Sequence, residues 1–257
     1  MNPQHHPLDE EHDRRFGGLD RLYGEGSRLA LHRGRIAVIG VGGVGSWVVE
    51  ALARSGVGSI TMIDFDQVAI SNTNRQIQAL DSTFGMAKIH ALEARIREIN
   101  PDCRVNAIED FLTQENMQQL IPAGTFDAVV DACDEAKVKA ALIAHARYHK
   151  IKLVVCGAAG GKRNPLKLRQ DDLGRVTHDA LLSRIRNTLR KDYRILPRKN
   201  GKFNVSCIYL EEPSIRSTAC ATGSLNCSGY GSVVTVTAAM GFAAAAYCLE
   251  KLVAPQT

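Results

Sequence analysis

The sequence predicts an α/β fold, Rossmann-like and doubly wound around a mostly parallel sheet, and three observations carry that prediction. An apolar run, Ile36 to Ile39, enters the turn Gly40-Val-Gly42-Gly43-Val44-Gly45 and leaves it into a stretch with helical spacing at Val48, Val49 and Leu52. Asp64 then closes the second apolar run nineteen residues beyond Gly45, a spacing that suits a carboxylate at a ribose hydroxyl. Beyond it, short apolar runs alternate with helical stretches as far as Cys156, the pattern of βαβ units.

Taken in order, residues 1–13 are polar and acidic, which excludes a secretory apolar region and predicts a fraying end. Residues 14–34 read as one short leading helix. Strands are expected at Arg35 to Gly40, Ser59 to Asp64, Arg104 to Glu109, Phe126 to Asp131 and Ile151 to Cys156, with helices at Ser46 to Ser55, Met86 to Asn100 and Glu135 to His149. After Gly157 to Gly161 the pattern changes. A basic segment, a helix Thr177 to Arg190, a strand Phe203 to Leu210, a Gly/Ser/Cys-rich loop and a final apolar helix Val233 to Leu249 follow. No internal repeat and no long linker interrupts the chain, so residues 1–257 are read as a single domain in which residues 162–231 meet the substrate.

Composition narrows the function classes. With 257 residues and 45% hydrophobic content, a full core can be buried and disorder is not expected. Seven scattered cysteines without a C-x-x-C pair suggest neither a disulfide framework nor a paired zinc site, and fit a reducing cytosol. The final apolar stretch reaches the length of a bilayer span, but threonines, Gly241 and many alanines dilute it, and it reads as a core helix. Residues 162–202 hold thirteen Lys/Arg against four Asp, a net +9 in a chain of net +5. A polyanionic partner would meet that segment first.

A strand running into a glycine turn and a helix N-terminus presents bare amides to a phosphate. The turn alone does not discriminate, because dinucleotide oxidoreductases use it too. The stretch behind Asp64 does: Asp64-Phe-Asp66-Gln-Val-Ala-Ile-Ser-Asn72-Thr-Asn74-Arg75-Gln76 is more polar than a loop needs.

Gly40-x-Gly42-Gly43-Val44-Gly45-Ser46, Asp64-x-Asp66, Asn72-x-Asn74-Arg75-Gln76, Gly85-x-Ala-Lys88 and Val129-Val130-Asp131-Ala-Cys-Asp134 together resemble the ATP-binding set of the ubiquitin-activating-enzyme-like adenylating superfamily. The resemblance implies ATP at the strand C-terminal ends, with Asp64 at the ribose and Asn72 and Gln76 orienting phosphate or neighbouring side chains. It makes Arg75 and Lys88 the catalytic cations and Asp131 the ligand of Mg²⁺, with Asp66 and Asp134 also in the nucleotide site. It implies a homodimer as well. Two departures stand out. The superfamily's paired zinc cysteines are absent, so no zinc is expected; and its N-terminal Arg-aromatic-x-Arg reads Arg15-Phe16-Gly17-Gly18, leaving Arg21 or Arg15 to reach a neighbouring subunit.

Over its whole length, from Arg15 to Val233, the chain resembles the bacterial tRNA threonylcarbamoyladenosine dehydratases. That family adenylates a threonyl carboxylate beside the tRNA anticodon and cyclises it, and is linked to a cysteine desulfurase and its sulfur acceptor. The basic segment agrees. On the helix Thr177 to Arg190, Leu181, Leu182, Ile185 and Leu189 share one quadrant, while Arg184, Arg186, Arg190 and Lys191 spread opposite. With Arg163, Lys167, Arg194, Arg198 and Lys199 they suit RNA phosphates, and Tyr193 and Phe203 are the aromatics placed to stack on a base. The alternative is activation of a ubiquitin-like or sulfur-carrier protein, for which Cys220 and Cys227 are the candidate thiols.

Overall fold

The computed structural model describes residues 10–216 and 230–254, and Cys220 and Cys227 lie outside them. Its frame is a seven-stranded sheet: β1 (Arg35–Ile39), β2 (Ser59–Ile63), β3 (Arg104–Ile108), β4 (Ala128–Asp131), β5 (Leu153–Cys156), β6 (Leu168–Asp172) and β7 (Ser206–Leu210). The spatial order is β3-β2-β1-β4-β5-β7-β6. Only the β6–β7 pair is antiparallel.

The central strands are continuous apolar runs because both of their faces are covered. Ile36 and Val38 of β1 point into one core with α4 (Gly45–Arg54), α5 (Lys88–Ile99) and α9 (Val234–Val253). Ala37 and Ile39 point into the other, with α7 (Ala136–His149) and α8 (Ala180–Lys191). The chain leaves β1 toward β2 on one side and returns to β4 on the other. That reversal places a crevice at the carboxyl ends of β1 and β4, where open α/β sheets bind ligands.

The expected strands and long helices are present, most ends lying within two residues of expectation; α8 and β7 begin three residues late, and α9 runs four residues past Leu249 to Val253. Three features differ. Residues 14–34 are not one helix: α1 (Glu10–Phe16), α2 (Gly18–Tyr23) and α3 (Ser27–Arg33) are separated at glycines, two of which, Gly24 and Gly26, sit at φ 100° and 84°. β6 was not expected, because an edge strand carrying Arg169, Gln170, Asp171 and Asp172 lacks the apolar signal of a buried one. The four-residue α6 (Met117–Leu120) was also not expected.

α9 is long and apolar enough to cross a membrane by length and composition, with mean hydropathy 1.3. One face of it, Val236, Met240, Ala244, Cys248 and Leu252, is nevertheless built into the core shared with α4 and the sheet. Each such aliphatic side chain taken from water stabilises the fold by about 1.5–3 kcal/mol. The opposite face, with Thr235, Phe242 and Ala246, is exposed.

Candidate active site

The glycine turn closes on itself through approaches only glycine permits. Gly40 lies at φ 78°, and a Cβ there would stand 2.9 Å from the backbone nitrogen of Cys133. A Cβ on Gly45 would overlap the Gly40 carbonyl oxygen. Gly42 is different: its nearest neighbour would be Gln76 Nε2 at 3.8 Å, so its missing side chain leaves room rather than relieving a clash. Among the described residues, the amides of Gly42, Gly43 and Val44 have no hydrogen-bond partner, an arrangement that suits an anion at the start of α4.

Asp64 organises this turn. Its Oδ2 accepts from Val41 N at 2.7 Å and its Oδ1 from Asp66 N at 2.9 Å. Lys88, buried at the first position of α5, places Nζ 2.6 Å from Asp66 Oδ2 and 4.0 Å from Asp64 Oδ1. Arg75 reaches the turn from the other side: its Cδ would lie 3.6 Å from a Cβ on Gly43. Its Nη1 donates to the Ser71 carbonyl at 2.6 Å and to Asn74 Oδ1 at 3.0 Å.

Asn72 and Gln76 are both buried and serve neighbouring chain. Asn72 Oδ1 accepts from Ala69 N at 3.0 Å, pinning the short 3-10 turn Ile70–Asn72. Gln76 Oε1 accepts from Gln78 Nε2 at 3.0 Å, and the same Gln78 nitrogen donates to the Val41 carbonyl at 3.0 Å.

Asp131 is where the structure departs most from expectation. It is fully buried, and its Oδ1 lies 2.9 Å from Nζ of Lys139, itself fully buried. The same oxygen accepts from Cys133 Sγ at 3.0 Å, and Lys139 also donates to the Asp131 carbonyl at 3.0 Å. Burial is the largest single influence and lowers the Lys139 pKa, but the summed pull of its neighbours, Asp131 foremost, carries it above the ordinary value and holds the ammonium charged. Asp131 is thus the partner of an internal cation rather than an open metal ligand, although its Oδ2 has no hydrogen-bond partner. Three residues on, Asp134 is exposed in the β4–α7 loop, the loop whose Cys133 packs on Gly40. Among the described residues no group of three or more His, Cys, Asp or Glu side chains could hold a metal by themselves.

Several participants were missed from sequence. Lys139 reads as one more basic residue of a helix, and only the fold brings it under the end of β4. Phe65 and Phe111, half exposed after β2 and β3 with ring centroids 4.9 Å apart, carry no signal beyond being aromatic next to Asp64. The five described cysteines are free. Burial pushes the thiols of Cys103 and Cys156 up to about 12, and those of Cys133, Cys207 and Cys248 also upward, so none is a ready thiolate.

The basic segment divides. Arg163, Lys167, Arg184, Arg190, Lys191, Arg194, Arg198 and Lys199 are exposed. Arg186 is not free: its Nη1 donates to the carbonyls of Leu173 at 3.0 Å and Val176 at 2.8 Å, fastening α8 to the preceding loop. Phe203 is fully buried under Arg190, whose guanidinium carbon lies 5.5 Å from the ring centroid, so it cannot stack on a base. Tyr193 is half-buried and bonded to Gln114. At the N-terminus, Arg15 pairs with Glu11 at 2.6 Å and donates to the Ile99 carbonyl at 3.3 Å.

Comparison with known proteins places this site in a family. Residues 18–256 match the model of the ThiF family. The chain is 42% identical to the tRNA threonylcarbamoyladenosine dehydratase of Escherichia coli (strain K12) over 252 residues, covering 93% of this chain and 94% of that protein. It is 40% identical to the enzyme of the same name from Haemophilus influenzae, covering 95% of each. The crystal structure of the E. coli enzyme in complex with ATP superposes with a TM-score of 0.88 at 40% identity, over 95% of this chain and 96% of that one. With its glycine turn, its paired cations and this similarity along nearly its whole length, the chain belongs to the ThiF family.

Proposed function

We propose that the chain is an ATP-dependent enzyme that dehydrates threonylcarbamoyladenosine in tRNA, next to the anticodon, to its cyclic form. The observation that carries the reading is a turn whose amides are unpartnered, lined at Gly43 by the Arg75 side chain and at Asp64 by Lys88, in a chain similar from end to end to dehydratases of that name. Activating a carboxylate requires its oxygen to attack the α-phosphorus of ATP while pyrophosphate leaves. The turn amides, Arg75 and Lys88 stabilise the charge that develops on the phosphates. Phe65 and Phe111 flank the ribose carboxylate Asp64 as an aromatic wall for the adenine.

Mg²⁺ would be held by Asp134 together with the phosphates and would neutralise triphosphate charge, since nucleotide-bound Mg²⁺ takes only one or two protein carboxylates. Asp131 holds the loop that carries Asp134. The tethered carbamoyl group then attacks the acyl-adenylate and expels AMP, a good leaving group where hydroxide is a poor one; tethering supplies the proximity. This sequence of steps needs no thiol.

The tRNA meets the exposed cations of residues 162–202, now without Arg186 and Phe203. The exposed apolar face of α9, centred on Phe242, is the surface we assign to a second copy of the chain, making a homodimer. The enzyme acts in the cytosol, where tRNA and ATP are found together.

The test is AMP formation and nucleoside mass spectrometry with threonylcarbamoyladenosine-bearing tRNA, beside pyrophosphate exchange with ubiquitin-like and sulfur-carrier proteins. Cyclic nucleoside formed only with ATP supports the reading. Exchange stimulated by a carrier protein and not by tRNA overturns it in favour of carrier activation.

A further inference from the structure

The catalytic cation Arg75 sits on a loop, and a long guanidinium side chain aims reproducibly only when its backbone is held by rigid elements. Two side chains from two different helices converge on one atom of it. Trp47, in the first turn of α4 and the sole tryptophan of the chain, donates its indole N–H to the Arg75 carbonyl at 3.0 Å. Thr237, in the first turn of α9, donates its hydroxyl to the same oxygen at 3.1 Å, the shortest of the three carbonyls it can reach. A carbonyl has two lone pairs, so this one is saturated. The Arg75 amide is engaged as well, donating to the Asn72 carbonyl at 3.0 Å.

The two helices that supply these donors are locked together at the same level. A Cβ on Gly241 of α9 would stand 2.6 Å from Trp47 Cβ, and the Phe242 ring meets the Trp47 ring edge-on, centroids 5.8 Å apart. Asn74, next to Arg75, adds a further tie, donating to the Ser232 carbonyl at 2.8 Å just before α9. One hydrogen bond would satisfy the indole N–H. A second donor from α9 on the same oxygen does more: it fixes the Arg75 peptide with respect to both the glycine turn and α9.

We propose that Trp47 and Thr237 are positioning residues for Arg75, which set the aim of its guanidinium at the phosphates by holding its backbone carbonyl between α4 and α9. This rests on the adenylation reading above. The test compares Trp47→Phe, which keeps a ring and removes the N–H, and Thr237→Val, which keeps the shape and removes the hydroxyl, with Thr237→Ser, which keeps the donor. The readouts are kcat and KM for ATP in AMP formation with modified tRNA, and thermal melting. Losing a neutral hydrogen bond that acts in the transition state is expected to lower kcat about three- to tenfold in the first two variants, with KM for ATP changed less than about twofold. Thr237→Ser is expected to retain the wild-type kcat.

Because Trp47 is the only tryptophan, all indole emission of the protein comes from the side chain that makes this hydrogen bond. Thr237→Val, or Thr237→Ala where that variant fails to fold, removes the second donor on the shared carbonyl and is expected to shift this emission, while Thr237→Ser is not; emission identical to wild type in both overturns the shared-carbonyl arrangement. Folded Trp47→Phe and Thr237→Val proteins with wild-type kcat, beside a wild type that turns over, overturn the positioning role alone. A wild type that forms no AMP overturns the adenylation reading and this assignment with it.

Discussion

At the residue scale, two pairs of similar residues are separated by what surrounds them. Asp131 and Asp134 stand three positions apart, yet one is sealed against Lys139 and the other is exposed. Removing one partner of a buried ion pair leaves an uncompensated charge, so Asp131→Ala is expected to cost about 3–5 kcal/mol in denaturant unfolding. Asp134→Asn is expected to unfold like wild type and to raise the Mg²⁺ concentration needed for AMP formation; an unchanged Mg²⁺ requirement would remove Asp134 from the site. Gly45 and Gly42 divide in the same way. Gly45→Ala drives a methyl group into the Gly40 carbonyl and is expected to lower stability by about 1–3 kcal/mol or more. Gly42→Ala is expected to leave the melting temperature within a few degrees of wild type while weakening ATP binding in calorimetry. The motif spacing identified all four residues as belonging to one site. It could not say which serve the fold, because that depends on Lys139 and Cys133 approaching from other elements.

At the element scale, α4 and α5 are clamped by Glu50, which is buried and accepts from Arg95 at 2.6 and 2.9 Å and from Arg54 at 2.7 Å. Burial raises the Glu50 pKa, but the hydrogen bonds from Arg95 and Arg54 outweigh it, and the net shift is below the ordinary value of 4.5. A depressed carboxyl contributes stability above its unfolded pKa and loses it as pH falls through the folded one. The melting-temperature gap between wild type and Glu50→Gln is therefore expected to hold steady from about pH 7 to 5 and to close below about pH 4. A gap that persists at about pH 3 would assign the effect to packing instead.

In α8, the helical spacing of Leu181, Leu182, Ile185 and Leu189 marks the inward face; the last three are fully buried and Leu181 is half-buried. The opposite face was less legible, since Arg186 folds back on two carbonyls. Charge reversal of Arg184 and Lys191 is expected to weaken tRNA binding and flatten its salt dependence, by about one unit of slope for each phosphate no longer neutralised. Arg186→Ala is expected to lower the melting temperature instead. Binding that ignores the Arg184 and Lys191 changes would move the RNA surface elsewhere.

At the scale of the whole molecule, α9 is both a core element and a surface. Its inner face packs on α4 and completes the layer over β4 and β5, while Phe242 stands about half exposed on the outer one. Phe242→Asp keeps the core residues of the inner face, though it also removes the edge-on contact with Trp47, and is expected to convert a dimer to a monomer in light scattering. A wild type that is already monomeric at micromolar concentration would overturn that assignment. The doubly wound sheet, the glycine turn at its switch point and the family of the site were legible in the chain itself, because apolar periodicity and motif spacing are local properties written along it. Packing alone decided that the turn is held by Asp64 and Gln78, that Asp131 answers a buried lysine, and that Trp47 and Thr237 meet on Arg75. Those hydrogen bonds join residues far apart in sequence, and only the seating of α4, α7 and α9 against one sheet brings them within reach of one another.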